Sequence, residues 1–485
     1  MTNNIPSPPV KRSLILIASM LAMFMAAVEV TIVATALPSI VADLGGFSQF
    51  GWIFSVYLLI QAVSVPIYGR LADIWGRKKV FFIGTSLFLL GSVLCGFASS
   101  MNLLIIFRAF QGLGAGAIMP LTATIIADVY SPQERAAVEG WLSSVWGFAA
   151  IIGPLIGAWL VEHAHWALIF WLNVPIGLIS MAMLARWLPE LGERHHTRIN
   201  ISGSLFMMIT ILAFLIALQQ AHSLGYWIIP LLIIAIYSGL KLWQHEHHSN
   251  QPLFPPVIWR SKIHIAGNLG NFTIGAAMMG ISAFLPTWIQ GVTGGTPSQA
   301  GSTLAVMSIG WPLASIMTGR LIRCSSYRFT ALVGTLLLST GCSMLLLLNS
   351  TTSMFTAALI AFVIGSGLGI TSTTFLVAVQ NHAEYSIRGI CTAATMFSRM
   401  LGSALGTVVM GTVLNLNLLM RLPHFGDPIQ QIMSSSQRAA LPEQTLRLLT
   451  EQVAHSLHWV FVVAFIFALT TLLIAKMLPQ RQQQQ

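Results

Sequence analysis

Charged residues inside long apolar runs are where this chain could do chemistry. Glu29 lies in an apolar run from Ser13 to about Ala36, and Arg108 lies in another over residues 102–127. At about 1.5 Å per residue, Arg108 falls roughly 9 Å in from the outer end of its helix and Glu29 about 10 Å in from the outer end of its own. They share a level. Unpaired charge in a bilayer costs at least about 2.5–3.5 kcal/mol, so an acid and a guanidinium at matching depth are natural partners. Such a carboxyl can carry a proton, because approach or withdrawal of Arg108 changes which protonation state is tolerated. Arg399, roughly 15 Å inside a later segment, has no intramembrane acid in its half of the chain and is a candidate contact for substrate. Gln61, Gln111, Asn268 and Asn271 also sit in apolar segments. They are candidate substrate contacts, with interhelical hydrogen bonding as the more ordinary role.

The elements that must position these residues follow from composition. With 55% hydrophobic and 8% charged residues over 485 positions and a mean hydropathy of +0.77, the chain has too little polar surface to cover a soluble globule. An all-α polytopic membrane protein is expected. The net charge of +10 is dispersed through short loops, with no basic helix or long run, so it reads as a topology signal and nucleic acid is not expected as a partner. Cys95, Cys324, Cys342 and Cys391 show no C-x-x-C spacing, which argues against a disulfide framework or a zinc site. His245-Glu246-His247-His248 lacks H-E-x-x-H spacing and reads as a solvated loop. No G-x-x-x-x-G-K-[ST] occurs, so nucleotide-driven pumping would need another subunit. Neither a metal nor a cofactor is expected.

Apolar segments recur near 13–36, 50–69, 79–98, 102–127, 138–160, 166–187, 202–220, 226–243, 264–289, 299–321, 329–348, 353–379, 389–413 and 456–478. This predicts roughly fourteen spans of the usual length, with both termini on one side. With that side cytoplasmic, Lys and Arg gather at inner ends; Arg421, Arg438 and Arg447 are exceptions, all in one long outer loop. Gly112-Leu113-Gly114-Ala115-Gly116 followed by Arg135 returns as Gly365-Ser366-Gly367-Leu368-Gly369 followed by Arg388, and Gly69-Arg70-Leu71 returns as Gly319-Arg320-Leu321. Two parallel halves are expected. The division is a six-helix bundle over 1–187, a linker with two inserted helices over 188–262, and a second six-helix bundle over 263–485.

Gly69-Arg70-Leu71-Ala72-Asp73-Ile74-Trp75-Gly76-Arg77-Lys78-Lys79 resembles the signature loop between helices 2 and 3 of the major facilitator superfamily. That resemblance implies that Gly69, Asp73, Gly76 and Arg77 form a conformational switch, with the Asp facing a helix N-terminus in the other half-bundle. Glu29-Val30-Thr31-Ile32-Val33-Ala34-Thr35-Ala36-Leu37-Pro38 resembles the first helix of the fourteen-helix drug:proton antiporter branch, with Glu in place of its Asp and Ala34 in place of its Asn. Arg108-Ala109-Phe110-Gln111-Gly112 resembles the family's R-x-x-Q-G motif, where the Arg is associated with proton transfer. Gly147, Gly153, Pro154 and Gly157 resemble the antiporter motif of helix 5. Phe170-Trp171-Leu172-Asn173-Val174-Pro175-Ile176-Gly177 and Leu285-Pro286-Thr287-Trp288-Ile289-Gln290 are similar to the same branch.

The resemblance implies a proton-coupled exporter of drugs or lipophilic small molecules, working by alternating access in a bacterial cytoplasmic membrane. An anionic metabolite or chelate is the alternative cargo, because Arg108 and Arg399 outnumber Glu29 in the membrane. A membrane-embedded enzyme would show clustered acids or metal ligands in a cavity, and a sensor an added soluble domain; neither is visible. The expected partners are a small-molecule substrate, protons and the lipid bilayer. The chain is expected to act as a monomer, with accessory efflux proteins left open.

Overall fold

The computed structural model describes residues 11–44, 50–189, 201–219, 225–248, 257–422, 428–433, 438 and 441–480. Among the described residues the regular structure is helical and no strand occurs. A backbone in hydrocarbon must satisfy its N–H and C=O groups internally, and a helix does so within one segment. The first elements are α1 (Arg12–Leu44), α2 (Phe50–Trp75), α3 (Arg77–Gly96), α4 (Met101–Val129), α5 (Pro132–His163), α6 (Leu168–Trp171), α7 (Asn173–Trp187) and α8 (Ile201–Gln219). Helices Ile228–His248, Lys262–Thr287, Pro297–Cys324, Tyr327–Leu345, Met354–His382, Arg388–Arg421 and Glu443–Ala475 follow, with a π-helical turn at Trp288–Val292 after the second of these.

Polar residues and glycine set the boundaries. Gly76 separates α2 from α3 at φ 92°, a backbone setting that an L side chain strains to adopt. Ser100 starts α4 by accepting the Leu103 N–H, and Glu134 accepts from both the N–H and the hydroxyl of Ser131 at the head of α5. Thr296 and Gln299 form the reciprocal cap before Pro297. Lys78 caps the other end of a neighbour, donating to the carbonyls of Ala185 and Leu188 at 2.8 Å beyond the last turns of α7.

Twelve helices are long and apolar enough to cross a membrane, counted over the described residues. The expectation of fourteen is therefore not confirmed in number. Helices do stand at the two remaining positions, α5 and α8, but neither belongs to the twelve. For α8, Ile201–Gln219, 19 residues at about 1.5 Å each reach roughly 28 Å, close to the thickness of a bilayer core, although the apolar stretch counted over the described residues is Leu205–Phe214. His245–His248 also differ from expectation: they form the last turn of the helix Ile228–His248 rather than a loop. Residues 190–200 of the expected linker lie outside the described residues.

The chain divides into two compact units, one of residues 1–217, 224–258 and 380–394, the other of 218–223, 259–379 and 395–485. In the first, α3 and α4 approach closely enough that a Cβ on Gly91 would lie 2.6 Å from the Gln111 Cα, and one on Gly114 would lie 2.6 Å from the Gly84 carbonyl oxygen. Large apolar side chains fill the rest, among them Met25, Phe81, Phe88 and Leu121 in one cluster and Ile32, Ile53, Leu104 and Phe170 in another. In the second unit, Gly406 packs on Ala276, so that the helices Lys262–Thr287 and Arg388–Arg421 meet backbone to backbone.

Candidate functional site

Glu29 on α1 and Arg108 on α4 are fully buried and form an ion pair through Arg108 Nη1 and Glu29 Oε1. Arg108 Nη1 also donates to Gln111 Oε1 at 2.6 Å, and its Nε donates to the Ile53 carbonyl at 3.2 Å. The guanidinium lies over the Tyr57 ring, 4.1 Å from the centroid. A cation on an aromatic face in a dry site is stabilised by about 2 kcal/mol or more. The second carboxylate oxygen, Glu29 Oε2, accepts from Asn173 Nδ2. The same Asn173 nitrogen donates to Ser92 Oγ at 3.0 Å, and Gln111 Nε2 donates to Ser92 Oγ at 2.6 Å. Glu29, Arg108, Gln111, Ser92 and Asn173 thus close a ring of hydrogen bonds drawn from α1, α3, α4 and α7. Arg108 Nη2 and the Tyr57 hydroxyl are buried beside it with no hydrogen-bond partner among the described residues.

Asn173 enters the ring because α6 ends at Trp171 and α7 begins at Asn173, a break in which Asn173 opens the second helix. Residues of the α5 motif sit nearby. A Cβ on Gly153 would be 3.1 Å from the Thr31 Cβ, and Thr31 Oγ1 donates to the Ala149 carbonyl at 3.0 Å, so α5 lies directly on α1 two residues from Glu29. Gly147 and Gly157 are buried on the same helix, and the Pro154 side chain lies outside the described residues. Gln61 on α2 is buried, and a Cβ on Gly116 would be 2.8 Å from its carbonyl oxygen; its side chain is not part of the ring.

A second cluster stands at the α2–α3 turn. Asp73 Oδ1 accepts the Gly389 N–H at 2.9 Å and Asp73 Oδ2 accepts the Ile390 N–H at 2.8 Å, the free donors at the start of the helix Arg388–Arg421. Arg77 pairs with Asp73 at 2.9 Å and with Asp128 at 3.0 Å, donates to the Tyr385 carbonyl at 2.7 Å and covers the Tyr385 ring. Arg388 completes the set with a 2.6 Å bond to Asp128. Gly69 is buried here for spatial reasons: its added Cβ would lie 2.9 Å from the Gly389 carbonyl oxygen. All of these residues belong to the first unit.

In the second unit Asn268 accepts from Thr395 Oγ1 at 3.1 Å, while Asn271 turns its amide back to the Gly267 carbonyl at 3.0 Å. Arg399 is half-buried on the helix Arg388–Arg421, and a Cβ on Gly275 would approach its backbone carbonyl. No group of His, Cys, Asp and Glu suited to a metal ion occurs among the described residues.

Reading the chain alone missed several residues of these clusters. Asn173 lay inside a quoted motif but had no charge to single it out. Ser92 and Tyr57 are common residue types in apolar helices, and Asp128, next to the last residue of α4, lies outside every motif quoted above.

A polytopic helical protein with a charged pair buried inside two candidate membrane spans, Arg12–Val33 and Met101–Val129, belongs to the class that handles solutes or protons within the bilayer. Residues 19–407 match the Major Facilitator Superfamily, and the chain belongs to that family of transporters. It is 31% identical to "Multidrug resistance protein 3" of Bacillus subtilis, over 93% of this chain and 92% of that one. It is 32% identical to the "Multidrug transporter protein MdtP" of the same organism, over 84% of this chain and 76% of that one. In fold it is similar to the human organic anion transporter MFSD10, with a TM-score of 0.63 at 13% identity, covering 95% of this chain and 100% of that chain.

Proposed function

We propose that this transporter is a proton-coupled exporter that exchanges inward-moving protons for small, lipophilic or cationic drugs by alternating access. The observation that carries the reading is the fully buried Glu29–Arg108 pair inside candidate membrane spans. A carboxyl there exchanges protons only when its environment is rearranged, which is what coupling requires. The names of the Bacillus relatives support drugs as cargo. One proton moving inward through about 100 mV releases about 2.3 kcal/mol, enough to hold a roughly fifty-fold gradient of a neutral substrate.

Within this reading Asp73, with Gly69, Gly76 and Arg77, holds one access state by gripping the start of the helix Arg388–Arg421, and Gly147, Gly153, Pro154 and Gly157 let α5 lie close on α1. Gln61, Gln111, Asn268, Asn271 and Arg399 are candidate substrate contacts. The chain works as a monomer in a cytoplasmic membrane with both termini cytoplasmic, and its halves fall at 1–187 and 263–485 around a linker.

The test is purified protein in proteoliposomes carrying an internal pH dye, challenged with lipophilic cations and with small organic anions. Cation-induced proton movement that requires Glu29 supports the reading. Proton movement with anions alone would reassign the cargo, and none with either class would remove proton coupling.

A further inference from the structure

The two amides of the buried ring are not equivalent. Gln111 Oε1 faces Arg108 Nη1, and a guanidinium can only donate, so the Gln111 amide is held one way round whatever happens to Glu29. Asn173 instead faces Glu29 and Ser92. Ionised Glu29 offers only acceptors, so the Asn173 nitrogen must point at it. Both neighbours can reverse their roles, since a protonated carboxyl donates and a hydroxyl both donates and accepts. The Asn173 amide can turn over by rotation about one broad, roughly two-fold torsion, and its nitrogen and oxygen ends are nearly the same size.

We propose that Asn173 is a reversible amide gate for Glu29, a positioning residue that bonds the carboxylate through Nδ2 and the protonated acid through Oδ1. This inference rests on the reading of Glu29 as the proton-coupling group. When hydronium from the aqueous side gives a proton to Glu29 Oε2, one O–H bond forms on the carboxyl, one O–H bond of hydronium breaks, and water is left. The Nδ2–H···Oε2 bond is exchanged for Oε2–H···Oδ1. Ser92 Oγ keeps accepting from Gln111 Nε2 and turns its own hydroxyl hydrogen to Asn173 Oδ1. Release of the proton reverses each change. The ring is therefore satisfied with Glu29 charged and with Glu29 neutral, a property needed by a buried group that must occupy both states. An aspartate at position 173 could not donate to the carboxylate, and an apolar residue would serve neither state. The other charged or titratable groups around Glu29 among the described residues are Arg108 on α4, Tyr57 on α2 and Cys95 on α3; α7 supplies Asn173, and α5 presents Ala149 and Gly153 to this part of α1.

The test is infrared difference spectroscopy of the reconstituted full-length protein between high and low pH, with carbonyl-labelled asparagine or glutamine. A labelled asparagine carbonyl band should shift with the protonation of Glu29, disappear in Asn173→Leu, and disappear in Glu29→Gln. The ring's glutamine should show no matching shift. Absence of the asparagine band in the wild-type protein overturns the gate without any variant. In transport, Asn173→Leu and Asn173→Asp should each lower proton-driven accumulation about tenfold or more while substrate counterflow persists. Retained coupling in both variants also overturns it. If Glu29→Gln still concentrates substrate against a proton gradient, the coupling assignment itself is wrong, and that outcome is separate from failure of the gate.

Discussion

Replacing Asp73 by Asn tests whether one carboxylate holds the start of the helix Arg388–Arg421. The wild-type side chain gives one oxygen to each of two backbone donors, Gly389 N–H at 2.9 Å and Ile390 N–H at 2.8 Å, and keeps Arg77 at 2.9 Å. An amide of the same shape has one acceptor oxygen, so one donor loses its partner and the other exchanges a charged acceptor for a neutral one. Hydrogen bonds to charged groups contribute about 1.5–3 kcal/mol and neutral ones about 0.5–1.5 kcal/mol, so the helix start should lose about 2–3 kcal/mol. That corresponds to roughly a 30- to 150-fold rise in local opening. Asp128 still binds Arg77 and Arg388, so the rest of the cluster should stay in place. Hydrogen exchange read by mass spectrometry over residues 388–394 measures the effect, with residues 112–126 of α4 as an internal reference. Transport should fall in parallel while expression is unchanged. Exchange at 388–394 within about twofold of wild type would refute the grip attributed to Asp73.

Further changes probe the remaining parts. Glu29→Gln should abolish accumulation driven by a pH gradient in inverted vesicles and flatten the pH dependence of substrate binding, yet leave counterflow without a gradient intact. Gly389→Ala should reproduce the Asp73→Asn exchange phenotype, because its Cβ would lie 2.6 Å from Asp73 Oδ1 and 2.7 Å from the Gly69 carbonyl oxygen. Arg399→Ala should weaken binding of an anionic ligand by roughly tenfold or more and leave a cationic one unaffected or improved, as calorimetric titration would show.

Much of the fold was legible because hydrocarbon imposes a simple rule: apolar runs of about twenty residues must be helices. Glu29 and Arg108 could be set at one level by counting residues, since charge in an apolar run is conspicuous. Ser92 and Asn173 could not be found that way. Their roles depend on which face of α3 and which end of a broken helix meet α1 and α4, and that is a matter of packing. The turn motif pointed to Asp73 and Arg77, whereas Asp128 joins them only because α4 ends beside α3, 51 residues along the chain from Arg77.

The close approach of α3 and α4 has a mechanical consequence. With Gly91 against Gln111 and Gly84 against Gly114, those helices touch through backbone atoms that have no rotamers to absorb sliding, so Ser92, Arg108 and Gln111 travel as one block. On the opposite side Ser180 of α7 donates to the Ala18 carbonyl of α1 at 2.7 Å, tying Asn173 and Glu29 into a second block. Between them, the atoms nearest to a Cβ added on Gly177 would be the flexible ends of Leu89 and Met25. The polar ring is thus a clasp across a greased seam. Lys78 on the Ala185 and Leu188 carbonyls and Trp171 Nε1 on the Val93 carbonyl, at 3.3 Å, cross the same seam, so parting the blocks would break those bonds as well as the bonds of Glu29 to Arg108 and of Asn173 to Ser92.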